Sequence, residues 1–327
     1  MKIIRWLKPS GAAVLLFLLC RYPGDALAAA CEALLSWAVS VAPALLPFLI
    51  AAPALSCEEV ASLLARFSGP FLRFFRLPAQ STGALLIGLL SGSPAGAAAL
   101  SSVPPSESDP PGAYLRAALM ASGASPAFLL TGAAASLLGV PDAGPLLLRS
   151  QLLAVLLTGF LLRFTGGGQP DSVSSPGERP RPVLSAMLTL LTVGGWMAFF
   201  SVLARLLTRI THPALEGPLL VLFELAGGCR ALASLPHDLR LILPLLSAAA
   251  CFGGISVYMQ CMSFLAPLHV HPAEYAAGKL LQSALAALLT FLQLESPRRS
   301  CDPLFLLTLC LFLLLLLLHF ALMREKA

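Results

Sequence analysis

The sequence predicts an all-α polytopic membrane protein with about eight transmembrane helices plus two re-entrant helical hairpins, arranged as inverted repeats. Three observations predict this class. Of the 327 residues, 57% are hydrophobic and only 11% are charged, which gives a mean hydropathy of +0.85. Apolar runs long enough to cross a bilayer recur along the chain. Two further apolar segments are interrupted at their middle by Gly, Ser or Pro.

The composition excludes several classes of protein. A soluble globular domain carries roughly 25% charged residues, well above the share found here. The apolar content is too high for intrinsic disorder. The net charge of +5 needs no nucleic-acid partner, because basic loops of a membrane protein account for it. The composition therefore predicts the lipid bilayer as a partner and no nucleic acid.

A helical crossing takes about 20 apolar residues, and most of the predicted crossings approach this length. The first segment follows Lys2, Arg5 and Lys8 and resembles a signal peptide, with a candidate cleavage site at residues 28–30. An uncleaved first span is the preferred interpretation. The predicted spans are residues 12–20, 34–55, 115–138, 146–164, 184–207, 239–267, 273–294 and 303–323.

A polar linker divides the chain into two halves of similar organisation. We expect an N-terminal span or signal-like anchor, a first repeat, the linker, a second repeat and a C-terminal anchor span. These correspond to residues 1–30, 31–165, 166–183, 184–294 and 303–327.

Residues 82–103 and 217–235 are barely long enough to span, and their interruptions predict re-entrant hairpins. Non-helical backbone is tolerated at membrane depth only where protein or a water-filled cavity covers it. With both hairpins counted as non-crossing, both termini face the cytoplasm. Most Lys and Arg residues, Lys279 among them, then lie on the cytoplasmic side, as the positive-inside rule requires.

The halves align with each other at an offset of about 130 residues. Residues 89–101 match 222–234, and residues 119–132 match 249–262. Each half makes about three crossings, so the second is inverted relative to the first. Such repeats place a binding site near mid-membrane, where the N-termini of half-helices attract anionic or polar groups.

The candidate site consists of Glu224 and the residues of the helix breaks. Placing the Glu224 carboxylate in an apolar run costs at least about 2.5 kcal/mol, so either a coupling or substrate-contact role or a buried ion pair with Arg230 is expected. Small residues in the breaks could also serve close helix packing. The candidate substrate-binding residues are Ser91, Gly92, Ser93, Gly96, Ser122, Gly123, Ser125, Glu224, Gly227, Gly228, Gly253, Gly254, Ser256 and Gln260.

Enzymatic, metal and cofactor chemistry find no support. The eight cysteines lie mostly in apolar runs without a CxxC pair, and His269 and His271 have no third ligand nearby. An intramembrane serine protease would need a His or Asp at depth to pair with its Ser, and no predicted span supplies one. The glycines at 166–168 lack the Lys-Ser/Thr of a phosphate loop. We therefore expect no enzyme activity, no cofactor and no metal.

Four segments carry a resemblance to a known family. They are SGSPAGA (91–97), ASGASPAFLLTGAA (121–134), LFELAGG (222–228) and FGGISVYMQ (252–260). In content and order they resemble the sporulation integral membrane protein YlbJ family, over about residues 41–294. The resemblance implies a nucleoside-recognition (Gate) domain, similar to the core of concentrative nucleoside transporters. It also implies an endospore-forming bacterium as the source.

The chain departs from that family pattern at its presumed binding surface. Ser93 stands where Tyr is common, and Ser122 and Ser125 occupy a stretch that usually holds Asn. Tyr258-Met259 replaces a more usual His-Ala. These differences bear on the substrate more than on the architecture.

The predicted function is that of a transporter-like protein of spore formation in the cell membrane or a membrane around the forespore. It would move a small polar or anionic metabolite by alternating access, with Glu224 as coupling or contact residue. The resemblance implies such a cargo, and dipicolinate is the leading suggestion. The alternatives are a non-transporting membrane organiser and a metabolite sensor. A homo-oligomer or spore-membrane partners are further predicted partners.

Overall fold

A computed structural model describes residues 2–55, 68–106, 108–164, 182–236 and 238–295. These residues form helices joined by short turns, and they include no strand, which confirms the predicted all-α class. The predicted C-terminal span and nearly all of the polar linker lie outside the described residues.

Four of the described helical segments are long and apolar enough to cross a membrane, and a bent pair near the N-terminus makes a fifth candidate. The bent pair joins Gly11–Arg21 to Pro23–Val39 at an angle of 99°. Within the described residues this is fewer than the number of crossings predicted, in part because the helix over 115–138 is interrupted at residues 121–125. The four long segments are Ala143–Leu162, Val183–Ile210, Leu239–Leu268 and Pro272–Glu295.

The first half contains eight α-helices and two π-helical segments within its described residues. One of them, at Trp37–Val41, ends two residues before Pro43. In a regular helix the ring of Pro43 would clash with the carbonyl one turn earlier. The elements are α1 (Lys2–Arg21), α2 (Pro23–Ser36), α3 (Ala42–Leu55), α4 (described over 68–75), α5 (Thr82–Ser91), α6 (Ala95–Ser101), α7 (Ala113–Met120), the π-helix (Phe128–Leu137) and α8 (Ala143–Leu162).

The second half repeats the order of the first from the hairpin onward. A long helix leads into a short hairpin, a helix broken at Gly253 and a final long helix. The elements are α9 (Pro182–Ile210), α10 (Glu216–Phe223), α11 (Leu225–Ala233), α12 (Leu239–Phe252), α13 (Gly254–Leu265) and α14 (Pro272–Glu295).

The contacts between the halves are reciprocal. In the two halves, α7 corresponds to α12 and α8 corresponds to α14. Helix α7 contacts α14, and α12 contacts α8 in the same way. Likewise α6 of the first hairpin contacts α13, and α11 of the second hairpin contacts the π-helix. Two related repeats would make such contacts. The inversion of one repeat relative to the other across a bilayer stays a prediction.

Glycines let the hairpin arms approach other backbone closely. A Cβ at Gly88 or Gly96 would overlap the carbonyl oxygen of Ala121. A Cβ at Gly228 would lie 2.6 Å from the Cα of Val221 in the other arm of the second hairpin. Gly96 and Gly228, both predicted as binding residues, therefore serve helix packing in this structure.

Candidate functional site

A cavity of about 500 Å³ lies where the two halves meet, and we call it the central cavity. Its wall combines residues from the first hairpin (α5 and α6), from two helix breaks and from the start of α11. The first break is the non-helical stretch 121–125 after α7, and the second is Gly253 between α12 and α13. Those from the first half include Ser91, Ser93, Gly123, Ala124 and Ser125, and those from the second include Leu225, Cys251, Phe252, Gly253 and Val257.

The tip of the first hairpin is fixed against the break that follows α7. Gly92 has φ 77° and ψ −168°, a backbone conformation essentially restricted to glycine. A Cβ there would lie 2.7 Å from the Ser125 nitrogen. The Ser93 N–H donates to the Gly123 carbonyl at 2.8 Å. The tip and the break therefore form one wall of the central cavity.

Gln151 of α8 satisfies the backbone of this break. Its Nε2 donates to the Ala124 carbonyl at 2.7 Å, and its Oε1 accepts from the Ala124 N–H at 3.0 Å. Unpaired backbone groups at membrane depth cost several kcal/mol each, so this bidentate contact stabilises non-helical chain beside the cavity.

The tip of the second hairpin lies against the second break in the same way. Glu224 is extended, with φ −144° and ψ 133°, and separates α10 from α11. Gly254 has φ 78°, and a Cβ there would lie 2.9 Å from the Glu224 nitrogen. In each half, a glycine at the tip or at the break makes the close approach possible.

Glu224 caps the helix that follows it. Its carboxylate accepts hydrogen bonds from the N–H groups of Ala226, at 3.0 Å, and Gly227. The N-terminus of α11 was expected to be open to an anion, but the chain's own carboxylate already occupies it. The predicted alternative of an ion pair with Arg230 is wrong. Arg230 is exposed, and no cationic side chain of the described residues forms an ion pair with Glu224.

Glu224 also faces a different cavity from most of the predicted residues. This outer cavity measures about 810 Å³ and lies between the second hairpin and helices α2 and α9. Glu32 and Arg205 form an ion pair at 3.2 Å in its wall. Gly227 lines it as well. The predicted site is thus divided between two cavities.

Lys279 of α14 is the residue that sequence reasoning missed. It was predicted at the cytoplasmic surface, but its side chain is buried, with 3% exposure. Its Nζ donates to the Ser122 carbonyl and to Gln282 Oε1, both at 2.8 Å. Carbonyls at the end of α7 lack helical partners and carry the negative end of the helix dipole, so a cation is favourable there.

Two neighbours of Lys279 complete this buried polar cluster. The Tyr275 hydroxyl donates to Ser122 Oγ at 2.9 Å, and Gln282 Nε2 donates to the Leu119 carbonyl at 3.1 Å. Tyr275, Lys279, Gln282 and Gln293 recur at helical spacing on one buried face of α14. That stripe was the signal in the sequence that would have placed Lys279 inside.

Lys279 has no acidic partner among the described residues, and both of its hydrogen-bond acceptors are neutral. It lies directly behind the wall of the central cavity, because Ser122 precedes Gly123 of that wall. The cavity therefore has a basic group behind one side, and the described residues that line it include no acidic side chain.

The remaining predicted residues, Ser91, Ser256 and Gln260, are buried. Ser256 and Gln260 are buried in α13 and bonded to each other at 3.1 Å. Ser91 lines the central cavity, and its Oγ is buried without a hydrogen-bond partner in the described structure. The described residues hold no group of three or more His, Cys, Asp or Glu side chains that could bind a metal ion.

Comparison with known proteins gives one curated relative. The chain is 24% identical over 307 aligned positions to the sporulation integral membrane protein YlbJ of Bacillus subtilis (strain 168), covering 78% of this chain and 74% of the relative. No family model matches the chain, and no solved structure matches it. The similarity supports the family suggested by the four motifs. Together with the apolar helices, it supports a multi-pass membrane protein related to a sporulation protein.

Proposed function

We propose that this protein moves a small anionic solute across a membrane during spore formation, using the central cavity as its binding site. The observation that carries the proposal is the wall of that cavity, which combines the first hairpin tip and both breaks and thus comes from both halves of the chain. A site between two repeats can open to either side when one repeat rocks against the other.

The charge around the central cavity favours an anionic solute over a cationic one. Lys279 supplies a basic group behind the Ser122–Ser125 break, and no carboxylate of the described residues neutralises it. Ser91, whose buried hydroxyl has no hydrogen-bond partner among the described residues, lies in the same wall. The similarity to a sporulation protein makes dipicolinate, a small dicarboxylate, the first solute to test.

Glu224 is proposed as the coupling residue. Its side-chain oxygens hold the N-terminus of α11, and the adjoining Leu225 lines the central cavity. Protonation from the outer cavity would weaken this cap, since a neutral carboxyl group is a poorer acceptor than a carboxylate. Protonation of Glu224 would thereby be linked to the position of the second hairpin tip.

In this proposal both termini are cytoplasmic, both hairpins are re-entrant and the second repeat is inverted. The two other functions suggested by the sequence become outcomes of the transport test. A sensor would bind the solute without moving it. An organiser would neither bind nor move it, and substitution of Gly92 or Gly253 would abolish its recruitment of partners.

Purified protein in liposomes should take up radiolabelled dipicolinate, and Glu224→Gln should lower the initial rate about tenfold, which corresponds to roughly 1.4 kcal/mol. The matched control is Glu216→Gln, which removes a carboxylate from the same outer cavity without touching the α11 cap. Equal rates for wild type and Glu224→Gln, at equal reconstitution, would remove Glu224 from the mechanism. Wild-type vesicles no more active than empty vesicles would contradict dipicolinate transport.

A further inference from the structure

A second site lies away from the central cavity, where α4 ends beside the end of α8. Its cavity measures about 720 Å³, and we call it the arginine pocket. Arg73, Arg76 and Arg163 line it. None of the three forms an ion pair with an acidic side chain of the described residues. Three guanidinium groups around one cavity, without an ion pair among the described residues, suit an anion.

Asp109 lies in the wall of the arginine pocket but does not neutralise it by an ion pair. Its Oδ2 accepts hydrogen bonds from the Ser106 N–H at 2.9 Å and from the Tyr114 hydroxyl at 3.1 Å. These bonds stabilise the loop that precedes α7. The carboxylate is therefore used in shaping the loop.

A fourth arginine, Arg116, stabilises the backbone that carries the arginine pocket. Arg116 is only 1% exposed, and its guanidinium donates to the carbonyls of Phe75 at 3.1 Å, Arg76 at 2.6 Å and Pro111 at 2.9 Å. Arg76 has φ 54°, the left-handed conformation that non-glycine residues seldom adopt. The buried guanidinium thus fixes the turn that presents Arg76.

Arg163 is held in place by contacts with Phe74 and Arg76. Its guanidinium lies 4.6 Å from the centroid of the Phe74 ring, and its carbonyl accepts from Arg76 Nη1 at 3.3 Å. Burial, followed by the nearby charge of Arg76, lowers the pKa of Arg163. The two cations are therefore held close enough to repel each other. A bound anion would relieve that repulsion.

The place of the pocket in the fold points to phosphate as the anion. Arg163 directly follows the candidate span Ala143–Leu162, so the pocket lies at the end of a membrane helix. Guanidinium groups match phosphate oxygens through paired hydrogen bonds, and basic pockets at the ends of membrane helices bind anionic headgroups. We propose that the arginine pocket binds a phosphate group, supplied either by an anionic phospholipid or by a free phosphate compound.

The test measures the melting temperature of the purified full chain and its lipid adducts in native mass spectrometry. Phosphatidylglycerol is compared with phosphatidylcholine, and inorganic phosphate with chloride at equal ionic strength. We expect phosphatidylglycerol to raise the melting temperature by several degrees more than phosphatidylcholine does. The double substitution Arg73→Gln with Arg163→Gln should lower phosphatidylglycerol retention at least about tenfold.

The matched control is Arg21→Gln with Arg240→Gln, which removes the same charge from exposed arginines elsewhere. It should retain phosphatidylglycerol as wild type does. A response to phosphatidylglycerol alone identifies a lipid, and an equal response to inorganic phosphate identifies a free phosphate compound. Wild-type protein that responds to neither, or equal lipid loss in the control, would overturn the proposal. The wild-type comparison stands even if the double variant does not fold.

Discussion

Replacing Lys279 with Met is expected to abolish the preference of the central cavity for anions. A unit charge acting over about 8 Å at an effective dielectric constant of 20 contributes about 2 kcal/mol, equivalent to roughly thirtyfold in affinity. The measurement is equilibrium dialysis of purified protein with dipicolinate and with its uncharged diamide. Dipicolinate affinity should fall by about that factor, while diamide affinity should change little.

Two variants distinguish the charge of Lys279 from its place in the fold. Lys279→Arg keeps the charge and should keep most of the anion preference. Tyr275→Phe removes a neutral hydrogen bond to the same Ser122 and should leave the preference unchanged. A Lys279→Met protein that still favours the dicarboxylate as strongly as wild type would show that the lysine only holds the end of α7.

Replacing Gly92 with Ala is expected to destabilise the first hairpin. The backbone conformation of Gly92 costs other residues on the order of 1–3 kcal/mol. The added Cβ would also lie 2.7 Å from the Ser125 nitrogen and 2.8 Å from the Gly123 oxygen, so the tip would move off the break. We expect a melting temperature several degrees lower and loss of dipicolinate uptake.

The comparison for Gly92→Ala is Gly195→Ala. A Cβ at Gly195 on α9 would lie more than 4 Å from every described residue outside its own stretch of helix, and alanine favours the helix by about 1 kcal/mol. This variant should melt at or above the wild-type temperature. If Gly92→Ala were as stable and as active as Gly195→Ala, the contact between tip and break would not be needed for either property.

The helices were predictable because burial in a membrane imposes a simple pattern. The predicted spans over 146–164, 184–207 and 273–294 agree closely with α8, α9 and α14. The breaks were equally visible, since Gly92, Pro94 and Gly253 interrupt runs that are otherwise apolar. Local composition alone determines these features.

The roles of individual site residues depend on contacts that sequence does not reveal. Lys279 was assigned to the cytoplasmic side because its backbone partner, the Ser122 carbonyl, lies more than a hundred residues away in the sequence. Glu224 looked free to bind a solute because the amides that it caps are backbone groups common to every sequence. The division between central and outer cavities follows from how α2 and α9 pack, which no motif encodes.

Access to Ser125 from the two sides of the membrane is the most direct test of a transport cavity between the halves. In protein whose native cysteines are replaced by alanine, Ser125→Cys is exposed to a membrane-impermeant thiol reagent from each side in turn. Gly195→Cys, on an exposed face of α9, serves as the comparison. We predict that Ser125→Cys reacts from both sides, that dipicolinate protects it, and that Gly195→Cys reacts from neither. Reaction of Ser125→Cys from one side only under every condition, or no reaction at all, would contradict alternating access.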